Sequence, residues 1–290
     1  MMFRAIAIAA ALALPLAAHA QGAKPGDTYQ ILRTTETAER SANGTSTSSN
    51  RDAIVERVIA VRENGVELEY DLVAGTNSPA NWQFPARVFK PQRGPIRLLN
   101  RAELAVRVDA WLKRGNMTRA ACGRWIFTWK AFKIECDPQS AVAIIDGFDP
   151  GPAGLTEGAP YKDRNTRAPA RLTRKRTGPD GAVFVAELAV DPDTVRKAKA
   201  ENDVAVAEIN GRTLSPEAAR RAHAADRIAG TITLTFYTDA TGQVRRQTRV
   251  VRMEIGNADG TTVARTITQT LDRQRVEPAK PKRNPGEILI

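Results

Sequence analysis

Apolar positions recur at every second residue in three early segments of the chain. Tyr29 and Ile31 open the first. In the second, Ala53, Val55, Ile59 and Val61 are joined by Ile54 and Val58 on the other parity, so both faces are apolar and a central strand is expected. In the third, Val66, Leu68, Tyr70 and Leu72 alternate with Glu67, Glu69 and Asp71, directly after the hairpin signal Glu63-Asn64-Gly65. Residues 41–50, polar and glycine-containing, read as a turn region between the first two runs. A second meander closes the chain: Ile232, Leu234 and Phe236 alternate with threonines, residues 244–255 return, and Val263, Ile267 and Leu271 finish it. Turns are expected at 239–242 and 257–260.

Helical spacing appears between the meanders. Asn100 reads as an N-cap with Glu103 in the third helical position, Leu104, Val108, Trp111 and Leu112 form the apolar stripe, and Lys113-Arg114-Gly115 stops it. Asp137-Pro138 starts a short helix through Ala141, Ile144 and Ile145, Asp191-Pro192 starts another to Glu201, and Ser215-Pro216 caps a third. Residues 204–209 read as a returning strand before Asn210-Gly211. Trp82, Phe84, Val88 and Phe89, interrupted by Pro85 and closed by Pro91, suit an edge strand or packed loop. Gly178-Pro179-Asp180-Gly181 marks a hairpin between residues 171–176 and 183–190. The expected class is α+β: antiparallel meanders, forming one curved, open-barrel-like sheet or two paired sheets, with short helices inserted.

The N-terminus changes the compartment. Arg4, a small-apolar run over 5–18 and Ala18-His19-Ala20 before Gln21 have the form of a cleaved export signal at 1–20. The run is shorter than the roughly 20 residues a membrane-spanning helix needs, and Pro15 interrupts it. Two halves are expected in the mature chain, 21–148 and 170–275, joined by a Pro- and Gly-rich linker or long loop at 149–169 and followed by a flexible basic tail at 276–290. An even cysteine count in an exported chain reads as a bridge, here Cys122 to Cys136, and their spacing does not match a Cys-x-x-Cys redox motif. The formal charge of +11 loses only Arg4 with the signal. In a periplasmic or secreted setting the polyanions available to such a surface are envelope components, so nucleic acid is not an expected partner.

Chemistry is sparse. His223 is the sole histidine beyond the signal, which removes most histidine-dependent catalysis and the common zinc sites, and its place near a helix end reads as a surface position. No nucleophile elbow, P-loop, dinucleotide fingerprint or calcium loop occurs, so no catalytic residue, metal ligand or cofactor is assigned. Glu67, Glu69 and Asp71 alternate with apolar residues, as a solvated strand face requires. Two features suggest binding. The aromatic hairpin, with Trp125, Phe127 and Trp129 on one parity, could line an apolar groove. The basic stretch Arg171, Arg174, Lys175 and Arg176 could meet anionic headgroups.

The segment Cys122-Gly123-Arg124-Trp125-Ile126-Phe127-Thr128-Trp129 through Cys136-Asp137-Pro138 resembles a stretch of uncharacterised exported bacterial proteins, a resemblance that implies no activity. Meander sheets with inserted helices also resemble, in architecture alone, the open-barrel periplasmic carriers of lipoproteins and lipids. The expectation is a soluble, non-enzymatic periplasmic binding or carrier protein for an apolar, anionic envelope ligand such as a lipid. The alternative is an envelope structural or assembly protein that works through protein contacts.

Overall fold

A computed structural model describes residues 23–73, 81–92, 94–127 and 131–276, with Asn81, Phe127 and Ala131 described in their backbone alone. The expected signal at 1–20, Trp129 and all but the first residue of the expected tail lie outside the described residues.

The N-terminal meander is β1 (Thr28–Ser41), β2 (Gly44–Arg62) and β3 (Gly65–Leu72). The turn expected over 41–50 is corrected: only two residues separate β1 from β2, and residues 44–50 are strand, paired to β1 from Ser41 opposite Gly44 up to Thr35 opposite Asn50. Backbone hydrogen bonds hold this ribbon although its β2 side chains are exposed on both faces. Apolar alternation reports burial, and a strand end that buries nothing shows none. Next come β4 (Ala86–Pro91), β5 (Arg97–Leu98) and the helix α1 (Arg101–Arg114). Leu104, Val108 and Leu112 of α1 are buried as its stripe predicts.

Asn100 does not cap α1 with its side chain. Its Oδ1 instead accepts the Arg87 N–H at 2.9 Å, and its Nδ2 donates to Pro85 O at 3.2 Å and to Glu103 Oε2 at 3.1 Å. A buried amide can satisfy itself better on a neighbouring strand than on one helical N–H, and here it fastens α1 to β4.

The disulfide hairpin follows as β6 (Trp125–Phe127) and β7 (Ala131–Lys133), then α2 (Ser140–Asp146). Cys122 and Cys136 are bridged with Cα atoms 5.6 Å apart. The segment 149–169 contains β8 (Pro160–Tyr161), which pairs with β9 (Ala170–Arg171). It lies against the large sheet: the Tyr161 ring meets Phe236 edge-on at 5.1 Å, and Asp163 receives Arg249 Nε at 2.8 Å and Nη2 at 3.0 Å.

The hairpin β10 (Thr173–Gly178) and β11 (Gly181–Ala189) leads into α3 (Pro192–Ile209). The strand expected over 204–209 is therefore corrected, since α3 runs unbroken to Ile209. Its buried residues are Ala200, Ala205 and Ala207, with Val204 partly buried, and the helix carries Asn202 and Asp203 through without a turn. Then come α4 (Pro216–Ala222), β12 (Arg227–Thr238), β13 (Val244–Gly256) and β14 (Thr262–Arg275).

Ten strands form one antiparallel sheet in the order β10-β11-β12-β13-β14-β1-β2-β3-β4-β5, open at β10 and β5. The seam between the meanders is β1 with β14, paired from Tyr29 opposite Arg275 to Ser41 opposite Val263. One face carries two hydrophobic clusters. The first joins Ile31, Ile54, Val58 and Leu68 to α1 and α2; the second joins Leu188, Ile232, Leu234 and Phe236 to Leu172 and partly buried Tyr161.

The Asp163–Arg249 pair links sheet to overlying loop, with side chains 8% and 12% exposed. Burial would raise the Asp163 carboxyl, but hydrogen bonds from Arg249 and the Asn165 N–H outweigh it and hold the group below its ordinary 3.8. A depressed folded value means stabilisation that is complete above the unfolded value and lost as pH falls through the folded one. Asp163→Asn is expected to be less stable at neutral pH and to flatten the acid side of a melting-temperature profile recorded from about pH 7 down to about pH 2.5. An unchanged acid slope would show that Asp163 titrates alike folded and unfolded.

Candidate functional site

Several charged side chains stand on strands of the cluster-bearing face where core residues would be expected, and three of them gather at one place. Glu56 occupies the parity of Ile54 and Val58 on β2, Arg273 that of Leu271 on β14, and Lys90 that of Val88 on β4. Glu56 is buried and receives Arg273 Nε at 3.0 Å and Nη2 at 2.5 Å, and Tyr70 Oη donates to its other oxygen at 2.6 Å. Arg273 also lies over the Tyr29 ring, its guanidinium carbon 3.4 Å from the centroid, with Arg245 at 5.5 Å from the same centroid. Burial, then the Glu56 charge, push the Tyr70 hydroxyl well above its usual value, so it stays a donor. Burial works against the Arg273 charge, but Glu56 outweighs it and raises that group's pKa.

Beside this network lies a recess of ≈ 80 Å³. Val58, Val66, Leu68 and Val244 supply an apolar wall; Glu56, Arg273, Lys90 and Asp149 supply charge; Pro150, Gly151 and Ala153 close it from the segment after α2. Gly65 stands in the wall because a Cβ there would come within 2.4 Å of Lys90 O and 2.8 Å of Pro91 Cα. Small-molecule sites usually span about 300–1,000 Å³, so a sizeable ligand requires the 149–153 segment to move. Phe148, buried in the first cluster, and the Gly154 N–H to Gly242 O hydrogen bond at 3.2 Å anchor the two ends of that segment. Lys90 Nζ reaches Asp149 Oδ2 at 2.7 Å, but both side chains are about a quarter exposed, 26% and 27%. Arg33 adds a long 3.4 Å hydrogen bond to Gly147 O and stacks 4.3 Å from the Phe148 centroid.

The residues singled out from sequence are distributed differently. Trp125 is half-buried on the hairpin, and its N–H donates to Glu208 Oε1 on α3 at 3.1 Å. Ile126 and Phe132 of the same hairpin pack against the first cluster. Arg171 on β9 donates to Gly158 O at 3.0 Å, and Arg174 on β10 lies 5.3 Å from the Phe184 centroid. Lys175 bulges between Arg174 and Arg176 on this exposed edge strand. Trp125 and the backbone of Phe127 thus belong to a different sheet from the basic residues, and Arg174 leans on Phe184 of the second cluster. His223 is not the surface position expected: its side chain is 14% exposed and bonded at both ring nitrogens. Glu56, Arg273, Lys90 and Asp149 were missed from sequence; charge at core parity was the available signal for the first three, and Asp149, in a loop, carried none.

No protein-family model matches the chain, and no curated protein matches it. Solved structures with a faint likeness include a domain assigned to outer membrane lipoprotein sorting from Vibrio parahaemolyticus, 8% identical, covering 87% of each chain with a TM-score of 0.19. Another is Ail, the attachment invasion locus protein of Yersinia pestis, 5% identical, covering 86% of this chain and 99% of its own with a TM-score of 0.15. Scores this low carry no argument about function. The Cys122–Cys136 bridge is compatible with an oxidising, extracytoplasmic compartment. Among the described residues no helix is long and apolar enough to cross a membrane.

Proposed function

We propose that this is an exported, non-enzymatic binding or carrier protein for an amphipathic anionic ligand of the cell envelope, held in the recess between β2–β4 and the 149–153 segment. The observation that carries the reading is an apolar wall beside a cation whose counter-ion is easily exchanged. Lys90 and Asp149 form a part-exposed pair, and such pairs are worth at most about 1 kcal/mol. A carboxylate or phosphate headgroup can take the place of Asp149 on Lys90, which frees the covering segment and lets an apolar tail reach Val58, Val66 and Leu68. Arg273 stays with buried Glu56 throughout, since breaking that pair is far more costly. The chain's net charge of +11 favours encounter with anionic material.

Titration of the protein with a fluorescent fatty acid at low salt tests this. Saturable binding is expected. Lys90→Gln should weaken it about tenfold, the scale of one charge-assisted hydrogen bond, whereas Asp149→Asn should tighten it by removing the competitor. No saturable binding, or an Asp149→Asn variant that binds as poorly as Lys90→Gln, would remove the reading.

A further inference from the structure

His223 has no part in the recess, and its surroundings point to a separate device. It closes α4, with Nδ1 2.9 Å from Asp226 Oδ2 and Nε2 2.7 Å from Asp203 Oδ2. Carboxylates accept, and a neutral imidazole donates at only one nitrogen. Both contacts are hydrogen bonds only when the ring is an imidazolium. We infer that His223 is a proton-operated latch that fastens α4 to α3 and to the head of β12, closed while the ring carries both protons and released when it loses one.

The surrounding charges confine the release to α4. From α3, Lys199 Nζ donates to Asp226 Oδ2 at 2.5 Å and to Asn257 Oδ1 at 2.7 Å, and Arg196 donates to Asp226 O at 2.8 and 3.2 Å. From the β13–β14 turn, the Ala258 N–H donates to Asp226 Oδ1 at 3.2 Å, and the Asp259 carboxyl feels the Asp226 charge. Arg220 and Arg221 end α4 itself, and Arg227 begins β12. Asp226 is buried, which by itself would raise its carboxyl, but the hydrogen bonds from Lys199 and His223 outweigh burial and hold it below the usual range. It therefore remains an anion whichever state the ring adopts. Lys199, Arg196 and Ala258 keep it tied to α3 and the turn in both states, so the contacts at stake are those of His223. Proton loss sets a ring lone pair against Asp226 or Asp203. α4 has seven residues, too few to persist as a helix without docking, and Ala219 is its one buried side chain.

Amide hydrogen exchange on the full chain, corrected for the intrinsic pH dependence of exchange, tests the latch. As the pH is raised from acid to alkaline, protection of residues 216–224 should fall about tenfold while the α3 amides around 196–200 hold. The His223 ring resonance, identified by its loss in His223→Gln, should titrate with the same midpoint as the exchange change. His223→Gln should remove the pH dependence. Protection of α4 that is independent of pH, an equal pH dependence in His223→Gln, or a ring that titrates without any change in α4 would each overturn the latch. None of these results bears on fatty-acid binding, so latch and recess succeed or fail separately.

Discussion

Replacing Arg273 with methionine should lower the free energy of unfolding by about 3–5 kcal/mol, the usual consequence of leaving one partner of a buried ion pair without the other. Glu56 would then hold a negative charge, 7% exposed as a side chain, with only Tyr70 Oη still donating to it. The position amplifies the loss. Arg273 is on β14 and Glu56 on β2, and the two reach each other across β1, the strand that joins the two meanders. Arg273 also covers Tyr29, so the substitution loses a cation over an aromatic face. Methionine retains most of the side-chain volume, which keeps cavity formation out of the comparison. The double variant Glu56→Leu with Arg273→Met should recover much of the loss, because a buried pair replaced whole by apolar groups is often close to neutral. Equilibrium urea unfolding of the two variants decides it. A single variant within about 1 kcal/mol of the parent would mean that water already solvates the pair.

Removing the bridge with Cys122→Ala and Cys136→Ala together should cost about 3 kcal/mol, the loop-closure value for some fifteen residues. Each strand of the hairpin has only three residues, and a two-stranded ribbon of that size is unstable by itself. The bridge acts together with the packing of Ile126, Phe132 and buried Ile134 on the first cluster and the Trp125 N–H bond to Glu208. The expected result is a lower urea midpoint together with lost amide protection at the hairpin bonds Gly123 N–H to Ile134 O and Ile134 N–H to Arg124 O. Unchanged protection at both would show that tertiary packing alone holds the hairpin.

Alternation over Val66–Leu72 and Ile232–Phe236 was enough to place β3 and β12, because one face of each is buried and the other wet. The α1 stripe and the caps at Asp191 and Ser215 were equally legible, and both cap side chains make the expected bonds. Where burial is weak, the pattern failed. The exposed ribbon over residues 44–50 carries no apolar signal, and the alanine-rich end of α3 carries a β-branched signal that helix packing overrode. The candidate site was the least readable. Glu56, Lys90, Asp149 and Arg273 are separated by as many as 217 residues along the chain, so a charge at core parity could be noticed but not its partner.

Local chemistry in the chain by itself determined the α+β class, the two meanders, most helix starts and the cysteine pair, since periodicity, turn residues and caps act over a few neighbours. Tertiary structure decided that the meanders join at β1 and β14 into one open sheet, that Arg273 neutralises a carboxylate from the opposite end of the chain, and that His223 sits between two aspartates. Those outcomes depend on which distant charges meet once water is excluded, and spacing along a sequence holds no record of that.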